Sequence, residues 1–331
     1  MKKILFMTIF LFIVILFCAG LGVTNSNIFQ VMIILKKILF KSFELTAMEK
    51  IILNLRLPRI ILAVLVGIGL AGAGTIMQGI TRNSLVSPFT IGISSSASFG
   101  ASIAIVYGWS LFGTTQLGVV TNAFIFALLC TLLVFIISNK MQLSSQSLIL
   151  SGIALNYFFQ ALSTSVQFLS DDVTLAKIVH WTFGSVNGAS WKEVKVVALV
   201  ILPCLLILYY YNRELSIISV NDDDVIVTMG IDVKKIRILV SICSSLITAT
   251  IISFTGVIGF VGLVAPHIAR LSVGNDYRYL LLASLLIGGL LVLISDTIGR
   301  IIFSPVILPV GIVISFLGVP IFLKQILSKK E

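Results

Sequence analysis

The chain has 331 residues, of which 58% are hydrophobic and 11% charged, and its net charge is +10. Its mean hydropathy is +1.14. Because soluble domains carry about 25% charged residues, this composition excludes a soluble globular protein. Lipid headgroups and the preference of basic residues for the cytoplasmic side of a membrane explain the excess of lysine and arginine. We therefore predict no nucleic-acid partner.

Apolar runs of about 20 residues recur along the chain and are long enough to cross a bilayer as helices. They predict an all-α polytopic membrane protein in the cell (plasma or inner) membrane, with one transmembrane domain over residues 1–331. The first run exceeds the usual core of a signal peptide, so we expect it to be retained. About ten transmembrane helices are predicted, at residues 4–23, 58–80, 89–108, 116–138, 147–169, 193–211, 236–255, 257–274, 279–299 and 308–327.

An even number of spans and basic chain ends place both termini in the cytoplasm. On this topology the segment NLRLPRI, residues 54–60, faces outward and carries Arg56 and Arg59 against the usual preference. In the second span, Gly67 and Ala71 form one pair of small residues that lets helix backbones approach closely. We interpret this pattern as tight helix packing rather than as a substrate path.

Charged residues inside the predicted spans are few. Asp296 can pair with Arg300 one helical turn on, and His267 is interpreted as a packed or capping side chain. An ion-coupled secondary transporter, the rival hypothesis from another class, needs titratable groups at mid-membrane, which are scarce here. The four cysteines lie apart in apolar runs and are interpreted as buried hydrophobes rather than as a metal or redox site.

Catalytic motifs are missing from the sequence, which has no P-loop, no HExxH and no GxSxG. We therefore predict no catalytic residue, metal site or cofactor on this chain, and the energy for any powered transport must come from another chain. The loop of residues 211–237 is the longest on the cytoplasmic side. In it, Asn221 can cap a short helix that Gly230 ends, with acidic residues in the first turn. Its apolar residues predict an exposed face that meets either a partner's groove or the lipid surface. These apolar residues are Val225, Ile226, Val227 and Met229.

Five stretches of the sequence form an ordered set of motifs. They are LRLPRIILAVLVGIGLAGAGTIMQGITRNSLVSPFTIGISSSASFGA (residues 55–101), WTFGSVNGASW (181–191), GVIGFVGLVAPHIARLSVGNDYRYLL (256–281), SDTIGR and LPVGIVISFLGVPIFL. In content and order they resemble the motifs of the FecCD family of ATP-binding-cassette (ABC) importer permeases. The similarity covers roughly residues 50–325, and so many ordered motifs identify the chain as a member of this family.

The resemblance implies a type II ABC importer permease fold with ten helices and both termini inside. It implies a permease pair, of one chain or two paralogues, in the lipid bilayer, with two ATPase subunits docked below it. A separate extracytoplasmic binding protein delivers the substrate, which we expect to be an iron–siderophore, with vitamin B12 or haem as the alternatives. ATP and magnesium then bind to the partner ATPase, and this permease domain is not an enzyme.

The resemblance also implies three sets of functional residues. Arg56, Arg59 and Arg300 are expected to meet acidic residues of the binding protein. A coupling helix within residues 220–232 contacts the ATPase through Asp222, Asp223, Asp224, Val225, Ile226, Met229 and Gly230. The cytoplasmic gate falls on the turn LSSQS, residues 143–147, with Ser144, Ser145 and Gln146 as candidates. The chain departs from the family pattern at several positions: Asp222 and Ile226 replace a glycine and an alanine, Ser84 a proline, and Ile307 a glutamate.

Overall fold

The computed structural model describes residues 2–20, 46–112, 115–141 and 143–328. The predicted end of the first span, residues 21–23, and the basic residues Lys329 and Lys330 lie outside this part. The helices are α1 (Lys2–Gly20), α2 (Ala47–Ile51), α3 (Leu57–Thr81), α4 (Ile93–Tyr107), α5 (Gln116–Asn139), α6 (Ser145–Phe168), α7 (Asp172–Thr182), α8 (Trp191–Tyr210), α9 (Asn212–Ile218), α10 (Asp223–Thr228), α11 (Val233–Thr255), α12 (Val261–Val273), α13 (Tyr277–Ile301) and α14 (Val310–Ser328).

The predicted spans are recovered as ten apolar helices in the described part of the chain. Seven are long and apolar enough to cross a membrane, including a continuous helical segment from Glu49 to Thr81 that contains α3. The other three are shorter: Ile93–Tyr107, Val261–Val273 and Val310–Pro320, which is the first part of α14. The eighth predicted span begins four residues late, because Gly256 and Phe260 take left-handed φ angles of 70° and 63° between α11 and α12. The all-α polytopic fold is thus confirmed.

Helix α3 lies at the centre of the bundle and is almost wholly buried. It crosses α13 at Gly67 and α12 at Gly74. A Cβ atom on Gly67 would lie 2.1 Å from the carbonyl oxygen of Gly288, and one on Gly74 would lie 2.1 Å from that of Gly262. Lipid tails give no hydrophobic drive for helix association, so such backbone contacts carry the packing. The predicted tight packing at Gly67 is confirmed.

We expect Gly67→Ala to destabilise the fold, since the added methyl group meets backbone atoms that cannot rotate away. Overpacking costs about 1–3 kcal/mol, and backbone contact places this variant at the upper end. Thermal unfolding in detergent, followed by size-exclusion chromatography, measures the effect. Gly259→Ala is the control, because nothing lies within 4 Å of its Cβ position. Equal stability of the two variants would contradict the packing argument.

The outer helix α1 exposes many apolar side chains, as expected of a helix that faces lipid. It packs on α13 and α3 through Cys18 and Ala19, which contact Ile60 and Leu293. Cys18, Cys130, Cys204 and Cys243 are all buried and unbridged, as the sequence predicted. The outer connection between α6 and α8 contains α7, which the search for apolar runs did not predict because it has only 11 residues.

Candidate functional site

The outer end of the bundle holds a buried ion-pair cluster. Pro58 lies in the first turn of α3, which begins at Leu57. The next residue, Arg59, reaches α13. Arg59 Nε donates to both carboxylate oxygens of Asp296, at 3.0 and 3.1 Å, and its Nη2 donates to Oδ1 at 2.8 Å. Nη1 donates to Asn187 Oδ1 at 2.9 Å. Such a planar, multiply bonded pair fixes the outer ends of α3 and α13 against each other.

Arg300 joins the same carboxylate from the next turn of α13. Its Nε lies 3.3 Å from Asp296 Oδ2, which confirms the predicted pair one turn apart. The Asp296 side chain is fully buried, and that of Arg300 is only 13% exposed. Two arginines therefore neutralise one buried carboxylate, a group that would be costly to bury alone.

The three predicted docking arginines differ in their surroundings. Arg59 is 8% exposed and bound to Asp296, so the structure contradicts the expectation that it faces outward beside Arg56. The reason is tertiary: α3 packs closely against α13, where Arg59 reaches the carboxylate of Asp296. Arg56 is the last residue of a five-residue π-helical turn, Ile52–Arg56, that precedes α3. Arg56 remains half-buried at the end of this turn.

The inner end of the bundle holds the predicted coupling helix as α10. Its N-cap residue is Asp222, not Asn221 as predicted, because the Asn221 amide turns back and donates to Ile217 O at 3.0 Å. Gly230 ends the helix as predicted, with φ of 80° and an N–H bond to Val227 O at 3.0 Å. Ile226 was predicted to lie on the exposed apolar face, but this prediction is wrong, because its side chain is fully buried in the main core. It anchors the helix.

The remaining apolar side chains of the coupling helix are exposed as predicted. Val225 is 44%, Val227 63% and Met229 54% exposed. A groove of about 490 Å³ runs beside them, lined by Asp224 and Ile231 among others. The helix therefore presents an apolar surface with acidic residues at one end and a groove alongside.

Asp223, at the start of α10, binds two arginines that the sequence analysis did not select. Arg237 of α11 donates from Nη1 to Oδ2 at 3.0 Å and from Nη2 to Oδ1 at 3.2 Å. Arg82, the left-handed C-cap of α3, donates from Nη2 to Asp223 and from Nε to Ile218 O. Partial burial acts to raise the pKa of Asp223, but the hydrogen bonds and charges of Arg237 and Arg82 outweigh it and lower the pKa below its usual value. The carboxylate therefore stays ionised at neutral pH.

The predicted gate turn, residues 143–147, lies directly before α6. Leu143 has a left-handed φ of 53°, and Ser144 caps α6 by accepting from Ser147 N at 3.2 Å. Ser145 Oγ donates to Ile80 O on α3 at 3.1 Å, whereas Gln146 is exposed. The carbonyl of Leu143 accepts from Arg237 Nη1 at 3.1 Å. One arginine thus contacts both the coupling helix and the gate turn.

A model of the FecCD transport family matches residues 7–328. The chain belongs to the FecCD transport family. The Fe(3+)-citrate import system permease protein YfmE of Bacillus subtilis is 38% identical to this FecCD protein over 283 residues, covering 83% of this chain and 81% of the relative. The hemin transport system permease protein HmuU of Yersinia pestis is 36% identical over 286 residues, covering 86% and 85%.

A solved structure supports the same assignment at the level of the fold. It is an inward-facing conformation of a metal-chelate type ABC transporter, with a TM-score of 0.86 and 31% identity, covering 100% of this chain and 99% of its own. This FecCD protein is therefore a multi-pass permease subunit with the type II ABC importer fold predicted from the sequence. The cytoplasmic location of both termini stays a prediction.

Proposed function

We propose that this permease translocates an iron–siderophore complex across the cell membrane, driven by a separate ATPase pair and supplied by an extracytoplasmic binding protein. The observation that carries the coupling to an ATPase is the helix α10, with three exposed apolar side chains held on a buried Ile226. Relatives named for ferric citrate and for hemin favour an iron chelate as the substrate class. The chain itself contributes no chemistry to ATP hydrolysis.

A second permease subunit is supported by the surface of α6. Tyr157, Gln160 and Thr164 lie three to four residues apart on one helix face, and all are exposed. Polar side chains of a spanning helix avoid lipid and face protein or water. We infer that this face meets the pathway or the second subunit, which is either another copy or a paralogue. The domain over residues 1–331 then forms half of the transmembrane unit.

The substrate is tested by uptake into proteoliposomes that contain the permease, its ATPase and its binding protein. Ferric hydroxamate and ferric catecholate chelates, haem and vitamin B12 are compared as radiolabelled substrates. We expect ATP-dependent uptake of a ferric chelate at a rate at least tenfold above the others. Preferred uptake of haem or vitamin B12 overturns the iron–siderophore assignment. Uptake driven by an ion gradient without the ATPase overturns the importer class.

We expect Arg56→Glu to weaken binding-protein docking by tenfold or more in Kd at low salt. A partly exposed arginine can bind a carboxylate, and reversal turns attraction into repulsion, which salt then screens. Arg56 is chosen over Arg59 because reversal of Arg59 also breaks the Asp296 pair. Affinity is measured by surface binding of the binding protein to the complex in nanodiscs. Lys177→Glu, an exposed reversal on α7, is the control; an equal loss for both variants would contradict a specific docking role.

A further inference from the structure

Arg237 lies in the second turn of α11, and its side chain is only 2% exposed. Its basic neighbours Lys234 and Lys235 are exposed, as residues that follow the positive-inside rule are expected to be. A buried guanidinium at the end of a span needs partners that justify its loss of hydration. Arg237 has two, on different segments: the carboxylate of Asp223 and the carbonyl of Leu143.

The coupling-helix partner of Arg237 is held on both sides. The Asp223 carboxylate lies between Arg237 on α11 and Arg82 at the end of α3. Arg82 also binds the carbonyl of Ile218 at 2.8 Å, at the end of α9. A displacement of Asp223 therefore acts directly on the inner ends of α3 and α11.

The gate-turn partner of Arg237 has an unusual backbone. Leu143 is a buried, non-glycine residue in the left-handed region, a conformation that the surroundings must hold in place. Two bonds hold it, one from Leu143 N to Ser138 O at 2.9 Å and one from Arg237 to its carbonyl. Leu143 directly precedes Ser144 and Ser145, the gate candidates. A shift of the Arg237 side chain would therefore shift these two serines as well.

We propose that Arg237 is the positioning residue that carries movement of the coupling helix to the gate turn. The same Nη1 atom binds Asp223 at 3.0 Å and Leu143 O at 3.1 Å, so the two segments are joined through one planar group. A lysine cannot replace it, since an ammonium lacks the fork that reaches both Asp223 oxygens and the carbonyl. The inference rests on the proposed function in assuming that an ATPase moves α10, and on the prediction that residues 143–147 form the cytoplasmic gate.

The test uses the complete complex in proteoliposomes, with Arg237→Gln, Arg237→Lys and Asp223→Asn. The readout is the ratio of substrate uptake to ATP hydrolysis, which a merely structural role would leave unchanged in the protein that remains folded. We expect Arg237→Gln and Asp223→Asn each to lower this ratio at least tenfold, and Arg237→Lys to restore less than half of it. Arg237→Gln and Asp223→Asn break the same ion pair. The variant that combines them should therefore lower the ratio no further than either substitution alone. Lys235→Gln, an exposed neighbour, is the control.

A second readout follows the gate turn itself. Gln146→Cys is labelled with a membrane-impermeant thiol reagent from the cytoplasmic side, with and without ATP. Labelling that changes with ATP in this background and no longer changes when Arg237→Gln is added supports the proposal. Nucleotide-dependent labelling and a coupling ratio that both survive Arg237→Gln overturn it. Failure of the parent complex to bind an ATPase or to import overturns instead the proposed function, so the two failures are distinct.

Discussion

Val227→Asp combined with Met229→Asp is expected to abolish the capture of the ATPase by this permease. Both side chains are more than half exposed on α10, so the fold does not depend on them. Removing the apolar contact of a residue that anchors an interface weakens the binding free energy by about 2 kcal/mol or more. This is roughly a thirtyfold loss of affinity for each residue. A buried unpaired carboxylate adds to this loss. Co-purification of the ATPase from detergent, followed by a binding titration, measures the effect.

The matched control for this variant lies in the same cytoplasmic loop. Val220 is 81% exposed and precedes α10, so Val220→Asp introduces one such carboxylate outside the helix and is compared with each single variant, Val227→Asp and Met229→Asp. It should bind the ATPase as the parent does. A broader variant, in which a glycine–serine linker replaces Asp222–Met229, should lose binding completely. If the linker variant retains the ATPase, α10 is not its docking site and the surface belongs to lipid instead.

Asp296→Ala is expected to cause the largest loss of stability of any single change considered for this chain. The side chain is fully buried, and its removal leaves the charges of both Arg59 and Arg300 without their carboxylate partner. Breaking a buried pair by removing one partner costs about 3–5 kcal/mol. The midpoint of thermal unfolding in detergent or nanodiscs should fall sharply, together with the yield of monodisperse protein.

A double variant separates the two explanations for this loss. Arg59→Met with Asp296→Leu removes the tightest pair and keeps the volume, and such a replacement is often neutral or stabilising. It still leaves the 13% exposed Arg300 without its carboxylate, so the double variant should recover part of the stability that Asp296→Ala loses, and adding Arg300→Met should recover more. Arg278→Ala breaks an exposed pair with Asp276 and should change stability by less than about 1 kcal/mol. A double variant as unstable as Asp296→Ala would show that the charges act through contacts other than this pair.

The three predicted docking arginines differ in their exposure. Arg59 and Arg300 both bind the buried carboxylate of Asp296, so little of either side chain is exposed to a partner. Arg56, placed on the π-helical turn before α3, keeps the exposure that recognition needs. The docking role of Arg56, Arg59 and Arg300 stays a prediction, and the experiment with Arg56→Glu tests it for Arg56 separately from stability.

Whether a functional residue could be predicted from the sequence depends on how close in the chain its interaction partners lie. The coupling helix was found because its acidic start and its glycine end lie within nine residues of the chain, and capping rules act over that range. Arg82 and Arg237 were missed for the opposite reason. Each looked like an ordinary basic residue at the inner end of a span, and their common partner Asp223 lies 141 and 14 residues away, respectively.

The sequence by itself determined the membrane class, the ten spans and the family, because span length and ordered motifs are properties of contiguous residues. Only the tertiary structure decided the partners of the charges. Arg59 and Asp296 are 237 residues apart, and they meet because α3 and α13 cross closely at Gly67 and Gly288. The π-helical turn Ile52–Arg56 was equally out of reach, since no residue pattern in NLRLPRI distinguishes a wide turn from a regular one. Buried ion pairs depend on where two helices cross in the folded protein. The positions of these crossings cannot be predicted from the order of the residues in one sequence.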